Sequence, residues 1–227
     1  MTIIAAKQFD NKWALFTDDC VTMGQSQVSA ARKYRPKLRE ISWKNYNLVI
    51  ASCGGTREID MVLNLLEAKL EISKIKDTIG LWYVIQTVLI EAFKTLNELA
   101  KDPAVWLLIL ETNSDILWHT DDYSMFQVGD ATEIVAGSWE QAYFSLRDYK
   151  NFLGAIRGAV MSDEYCEFPI YAYRDGKTYS FWPYQDEKEM EQVLLGNEVS
   201  NECIPTPCND TRKEPSGMSE TVFAKLW

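Results

Sequence analysis

The first eighteen residues commit the chain to a sheet. In TIIAAKQFDNKWALFTDD, two runs that alternate or stay apolar, residues 2–8 and 12–18, flank the pair Asp10-Asn11. Apolar runs of strand length separated by an Asx pair predict a tight β-hairpin. The residues of both strands are apolar on successive positions as well as alternate ones. The layers that such a hairpin packs against must be read from the rest of the chain.

The rest of the sequence offers those layers. NLVIASCGGT reads as a buried strand over 47–53 that ends in Gly54-Gly55, with a helix from Thr56. In that helix Ile59, Val62, Leu63, Leu66 and Leu70 recur at helical period, and Thr56 followed by REID supplies an N-cap and an early acidic residue. A second helix is predicted over 77–100, closed by Pro103. Strand-like segments follow at 105–111, 115–119, 124–128 and 132–137. Ser138 is placed to cap a helix through Arg147, and another helix covers 149–161. FPIYAYRDGKTYSFWP predicts a hairpin on RDGK, and DEKEMEQVLLG a short amphipathic helix ended by Gly196. Two helix pairs bracketing two groups of strands predict an α+β fold, a four-layer αββα sandwich. The expected organisation is one domain over 1–196 and a C-terminal tail or arm over 197–227. That tail is either a frayed terminus or a hook for a neighbouring subunit through TVFAKLW.

Charge and composition exclude several functions. With 23 basic and 33 acidic residues the chain carries a formal charge of −10. Nucleic acid and anionic membrane both require a basic face, so neither is the expected partner. The most apolar segment, IGLWYVIQTVLIEAF, is shorter than a membrane span and flanked by charge, which predicts a buried helix. No basic segment followed by an apolar stretch opens the chain, so no signal peptide is expected. The five cysteines, Cys20, Cys53, Cys166, Cys203 and Cys208, follow no framework spacing, which predicts buried thiols in a reducing cytoplasm. In CIPTPC, Cys203 and Cys208 are either unrelated tail thiols, a clip or a metal pair. The single histidine, His119, lies in SDILWHTDD at an expected hairpin edge. No multi-histidine metal site is possible in one chain, no metal or cofactor is expected, and any catalytic base is expected to be something else.

An N-terminal threonine needs no histidine. Its hydroxyl attacks and its own α-amine, with a reference pKa of about 7.7–8.0, accepts the proton. Such a site requires the Thr at the start of a rigid strand and a lysine that lowers the amine's proton affinity. It also needs a carboxylate to orient that lysine and backbone N–H groups facing the oxyanion. The sequence offers Thr2 if Met1 is removed, Asp18 at the end of the second strand, Lys33 in SAARKYR after the loop VTMGQSQV, and the turn at Cys53-Gly54.

These residues resemble the proteasome β-subunit superfamily of N-terminal nucleophile hydrolases, and within it the bacterial heat-shock peptidase that pairs with an ATP-driven unfoldase. The resemblance rests on TIIAAK, WALFTDDCVTMG, ARK, VIASCGGT and LLEAKLE, and weakens beyond the first third of the chain. It implies catalytic roles for Thr2, Asp18 and Lys33, with Gly24 and Gly54-Gly55-Thr56 as landmarks. It carries over Gly137 and Ser138 as the pair supporting the nucleophile. Asp163 maps to the acidic element, where DEYC puts Cys166 in place of a serine and Trp139 follows Ser138 instead of glycine. Val21 and Ala31 would line the substrate pocket, and amides near Cys53 and Gly54 would bind the oxyanion. Small apolar pocket residues imply a neutral apolar residue before the cut. The resemblance implies self-assembly into a ring or open helical assembly acting on unfolded protein or peptide, with an unfoldase as a further partner. Two other readings stand beside it: a silent scaffold subunit that keeps Met1, and an amidohydrolase acting on a small amide.

Overall fold

The computed structural model describes residues 3–23, 26–29, 37–99, 105–121, 124–137, 140–162 and 166–197. Contacts group Met1–Asn197 as one compact unit, and the residues beyond it lie outside the description. The N-terminal hairpin consists of β1 (Ile3–Phe9) and β2 (Lys12–Thr17), turned on Asp10 and Asn11 at φ 49° and 61°. Both turn residues sit in the left-handed region that Asx residues tolerate best after glycine.

Two short strands follow, β3 (Cys20–Met23) and β4 (Ser26–Ser29), paired as a separate ribbon. Residues 21–28 were expected to form a loop, and their weak alternation hides the pairing. β5 (Leu38–Trp43) and β6 (Tyr46–Gly54) form a second hairpin, succeeded by helices α1 (Thr56–Ile72) and α2 (Thr78–Leu99). Then come β7 (Val105–Glu111), β8 (Ile116–Asp121), β9 (Ser124–Gln127) and β10 (Glu133–Gly137). Helices α3 (Glu140–Arg147) and α4 (Phe152–Ser162), the hairpin β11 (Ile170–Arg174) and β12 (Lys177–Phe181), and α5 (Glu187–Leu194) complete the unit.

The strands form two five-stranded antiparallel sheets, ordered β10-β1-β2-β11-β12 and β5-β6-β7-β8-β9. Three apolar clusters account for the patterning. Ile4, Leu15, Val49, Leu108 and Tyr173 pack between strands of both sheets. Ile3, Ala5 and Phe16 turn the other way, onto Tyr143, Phe152 and Ile156 of α3 and α4. Ile50 and Ile109 meet Val62 and Leu66 of α1 and Ile85 and Leu89 of α2. Strand β1 is therefore apolar on both faces because both are buried. Each such side chain contributes about 1.5–3 kcal/mol of transfer free energy.

Several expectations change in detail. Thr56 is the first helical residue and not the cap; Gly55 takes the cap position, with no side-chain bond to the helix. The helix expected from residue 149 starts at Phe152, because Asn151 Oδ1 accepts from Gly154 N at 2.8 Å and so ends the preceding turn. Helix α5 carries a full capping box between Asp186 and Glu189. Over Thr78–Leu96, α2 is long and apolar enough to cross a membrane, which the shorter run read from the sequence did not suggest. Its Leu81, Ile85, Val88, Leu89 and Ala92 are instead buried against the second sheet.

Candidate active site

Strand β2 ends at Thr17, so Asp18 enters the interior where the hairpin leaves the sheet, and its side chain is fully buried. Asp18 Oδ1 accepts from Ile3 N at 3.1 Å, and Oδ2 from Cys20 N at 3.0 Å. Lys37 Nζ, on a side chain only 9% exposed, donates to Oδ1 at 3.0 Å. One carboxylate thus holds the start of β1, the start of β3 and a buried ammonium. Burial pushes the Asp18 carboxyl up from the ordinary 3.8, and the attraction of Lys37 and the N–H donors only partly offsets it.

Lys37 is a buried lysine that the sequence reading did not single out. Lys33, assigned that role from its basic pair, lies outside the described residues. Lys37 owes its place to the β5–β6 register, in which Trp43 faces Tyr46 and Leu38 faces Ala51. Ser52 N then donates to the Lys37 carbonyl at 3.3 Å, fixing the lysine two positions from Gly54. Gly54 closes β6 at φ 130°, and Gly137 closes β10 at φ 120°, where it stands opposite Ile3. Backbone of that kind excludes most side chains, and both glycines lie at strand ends, Gly137 opposite the first residue of β1.

Thr2, Ser138, Asp163 and Ala31 also lie outside the described residues. Val21 is on β3, paired with Val28. Cys53 is buried between the sheets, and burial pushes its thiol up to about 12. Cys20 is raised too, first by burial and then by Asp18. Neither is a thiolate near neutral pH, so neither has the character of a cysteine nucleophile. Cys20, Cys53 and Cys166 are buried. His119 sits within the β8 ladder, facing Leu108 on one side and Phe126 on the other, and not at a hairpin tip. Among the described residues no group of three or more His, Cys, Asp or Glu side chains could hold a metal.

The fold has counterparts among solved structures. The chain is similar to Anbu (ancestral beta-subunit) from Yersinia bercovieri, at 14% identity and TM-score 0.63 over 86% of this chain and 93% of that one. The fold is that of the proteasome β-subunit superfamily. Anbu from Pseudomonas aeruginosa, solved as a helical assembly, matches at 11% identity and TM-score 0.62 over 86% of this chain and 92% of that one. Eukaryotic HslV from Trypanosoma brucei matches at 16% identity and TM-score 0.51, over 75% of this chain and 97% of the other. No protein-family model and no curated protein sequence matches the chain.

Proposed function

We propose that the chain is a threonine peptidase of the N-terminal nucleophile type, built as a four-layer αββα subunit and active once Met1 is removed. The observation that carries this reading is the Asp18 carboxylate. It joins the amide of Ile3, the residue after Thr2, to the Lys37 ammonium. A group that fixes both the residue behind a nucleophile and a cation beside it is a positioning device for an N-terminal reagent.

In this mechanism the Thr2 hydroxyl attacks the scissile carbonyl and the Thr2 α-amine takes its proton. The ammonium of Lys37, a like charge near that amine, lowers its proton affinity toward neutrality. Backbone N–H groups at the Gly54 turn stabilise the oxyanion. The amine returns the proton to the leaving nitrogen, and water then hydrolyses the Thr2 ester. Lys37 takes the place first given to Lys33, while Ser138 and Asp163 remain candidates for supporting the Thr2 amine. Val21 and Ala31 remain pocket candidates, favouring a neutral apolar residue before the cut. The helical assembly of the Pseudomonas Anbu supports a homo-oligomer that encloses its sites. Unfolded polypeptide is the proposed substrate, an ATP-driven unfoldase the proposed partner and the cytoplasm the proposed compartment.

Intact mass, together with labelling by a peptide epoxyketone directed at N-terminal threonine, tests the reading. Loss of one Met residue and an adduct on Thr2 that is absent from Thr2→Ala are expected. A native chain that keeps Met1 and resists the label supports the inert scaffold subunit instead.

A further inference from the structure

The inner face of the second sheet carries a feature that the mechanism does not use. Along β7, Leu108 and Leu110 point toward the first sheet, and Trp106 shares their face; it stands opposite Cys53 across the β6–β7 ladder. His119 lies opposite Leu108 on β8, and Phe126 opposite His119 on β9. The His119 and Phe126 rings stack, centroids 5.7 Å apart and planes at 30°. Leu108 and Leu110 are buried, yet Trp106 is 41% and Phe126 49% exposed. Large aromatic side chains on an inner sheet face are normally covered, and exposed ones on the same face of neighbouring strands mark a binding surface.

Its place in the fold indicates what it binds. Trp106 precedes the β7 residues that pack in the core and follows Val105, the ladder partner of Gly54. The shelf therefore runs from the Gly54 turn away from β5, the strand led by Lys37. In the first sheet, β10 likewise lies beyond β1 on the side away from β2 and Asp18, with Gly137 opposite Ile3. A strand separation of about 4.8 Å puts β9 roughly 10 Å from β7, the reach of about three extended residues. Trp106, at one end of the surface, is one residue along β7 from the ladder partner of Gly54.

We propose that Trp106, His119 and Phe126 form a shelf for an aromatic or large apolar side chain on the leaving-group side of the scissile bond. The inference rests on the peptidase reading and extends it to substrate choice. Burying such a side chain against two aromatic faces favours it over alanine by at least about tenfold.

The test uses the full-length assembled protein and two internally quenched peptides. They share the acyl side and differ only in carrying Phe-Phe or Ala-Ala after the cut. The ratio of kcat/KM values is expected to be about ten or more in the unaltered protein. It is expected to fall toward one in Trp106→Ala and Phe126→Ala, and to stay unchanged in Tyr184→Ala, an exposed aromatic change elsewhere. A ratio near one in the unaltered protein, or a ratio insensitive to both shelf changes, overturns the shelf while leaving the peptidase intact. Native mass is read on the same samples: dissociation of the assembly by Trp106→Ala or Phe126→Ala identifies a second copy as the occupant and overturns it too. Hydrolysis of neither peptide overturns the peptidase reading and the shelf together.

Discussion

In the proposed peptidase, Asp18 is the residue on which most of the chemistry turns. Its folded-state pKa lies above the ordinary value, so the sign of its pH effect can be worked out. Its contribution to stability is full below about 3.8 and is lost as pH rises through the raised folded value. Once ionised, the carboxylate is therefore a cost, held in check by Lys37. Activity runs the other way, because only ionised Asp18 orients the ammonium. We expect kcat/KM to fall on acidification with a midpoint above the ordinary aspartate value, and a pH–rate profile measures it. Removing one partner of such a pair leaves an uncompensated buried charge, at about 3–5 kcal/mol. Lys37→Ala should lower the thermal midpoint and abolish turnover. Lys37→Arg keeps the charge but not the point geometry, and should fold while losing most activity. Lys33→Ala should keep turnover within severalfold; its complete loss would return the role to Lys33. Asp18 was legible in the sequence as the residue ending the second strand, and the buried lysine bound to it was not. ARKYRPK offers Lys33 and Lys37 within one basic run. Choosing between them requires the β5–β6 register, which depends on where the chain turns at Lys44-Asn45. Counting back from Gly54 through that hairpin is the signal that would have found Lys37.

At the scale of elements, β10 is tied to its surroundings by Glu133. Its carboxylate accepts from Lys7 Nζ on β1 at 3.2 Å, from Tyr143 Oη at 2.9 Å and from Arg147 Nε at 3.1 Å on α3. Burial alone would raise its pKa, but the bonds from Arg147, Tyr143 and Lys7 outweigh that and leave it lowered. A lowered carboxylate stabilises above its unfolded value near 4.5 and loses that contribution as pH falls through the folded value. Glu133→Gln should cost about 1–3 kcal/mol at neutral pH, read by chemical denaturation, with the difference closing below about pH 4. Element types were well marked by periodicity, as in Ile59, Val62, Leu63, Leu66 and Leu70 of α1. Their ends were less so. The Asn151 bond that delays α4 and the pairing of β3 with β4 depend on single polar groups and on partners remote in sequence, which no local pattern reports.

For the whole molecule, the division at Asn197 leaves the twelve strands and five helices of the described residues on one side. A chain ending at Asn197 is expected to keep its far-ultraviolet circular dichroism and to melt within a few degrees of the full chain. A large loss of midpoint would show that residues 198–227 are part of the fold. The alternation of strand groups and helix pairs made the α+β architecture readable, since each apolar face demanded a partner layer. Strand order was not readable, because β1 pairs with β10 and β2 with β11, segments more than a hundred residues away.

That strand order has a consequence in time. Lys7 meets Glu133 across 126 residues, and Arg174 Nη2 reaches the Phe9 carbonyl across 165. A ribosome adding about 5–20 residues each second delivers β10 and β11 many seconds after β1 has emerged. Until then the first strand has only its hairpin partner, and the terminus that precedes Ile3 stays loosely held and open to an aminopeptidase. For the proposed peptidase, the topology gives an interval in which Met1 can be trimmed before the cleft exists, and delays any cutting by the new chain until both sheets are complete.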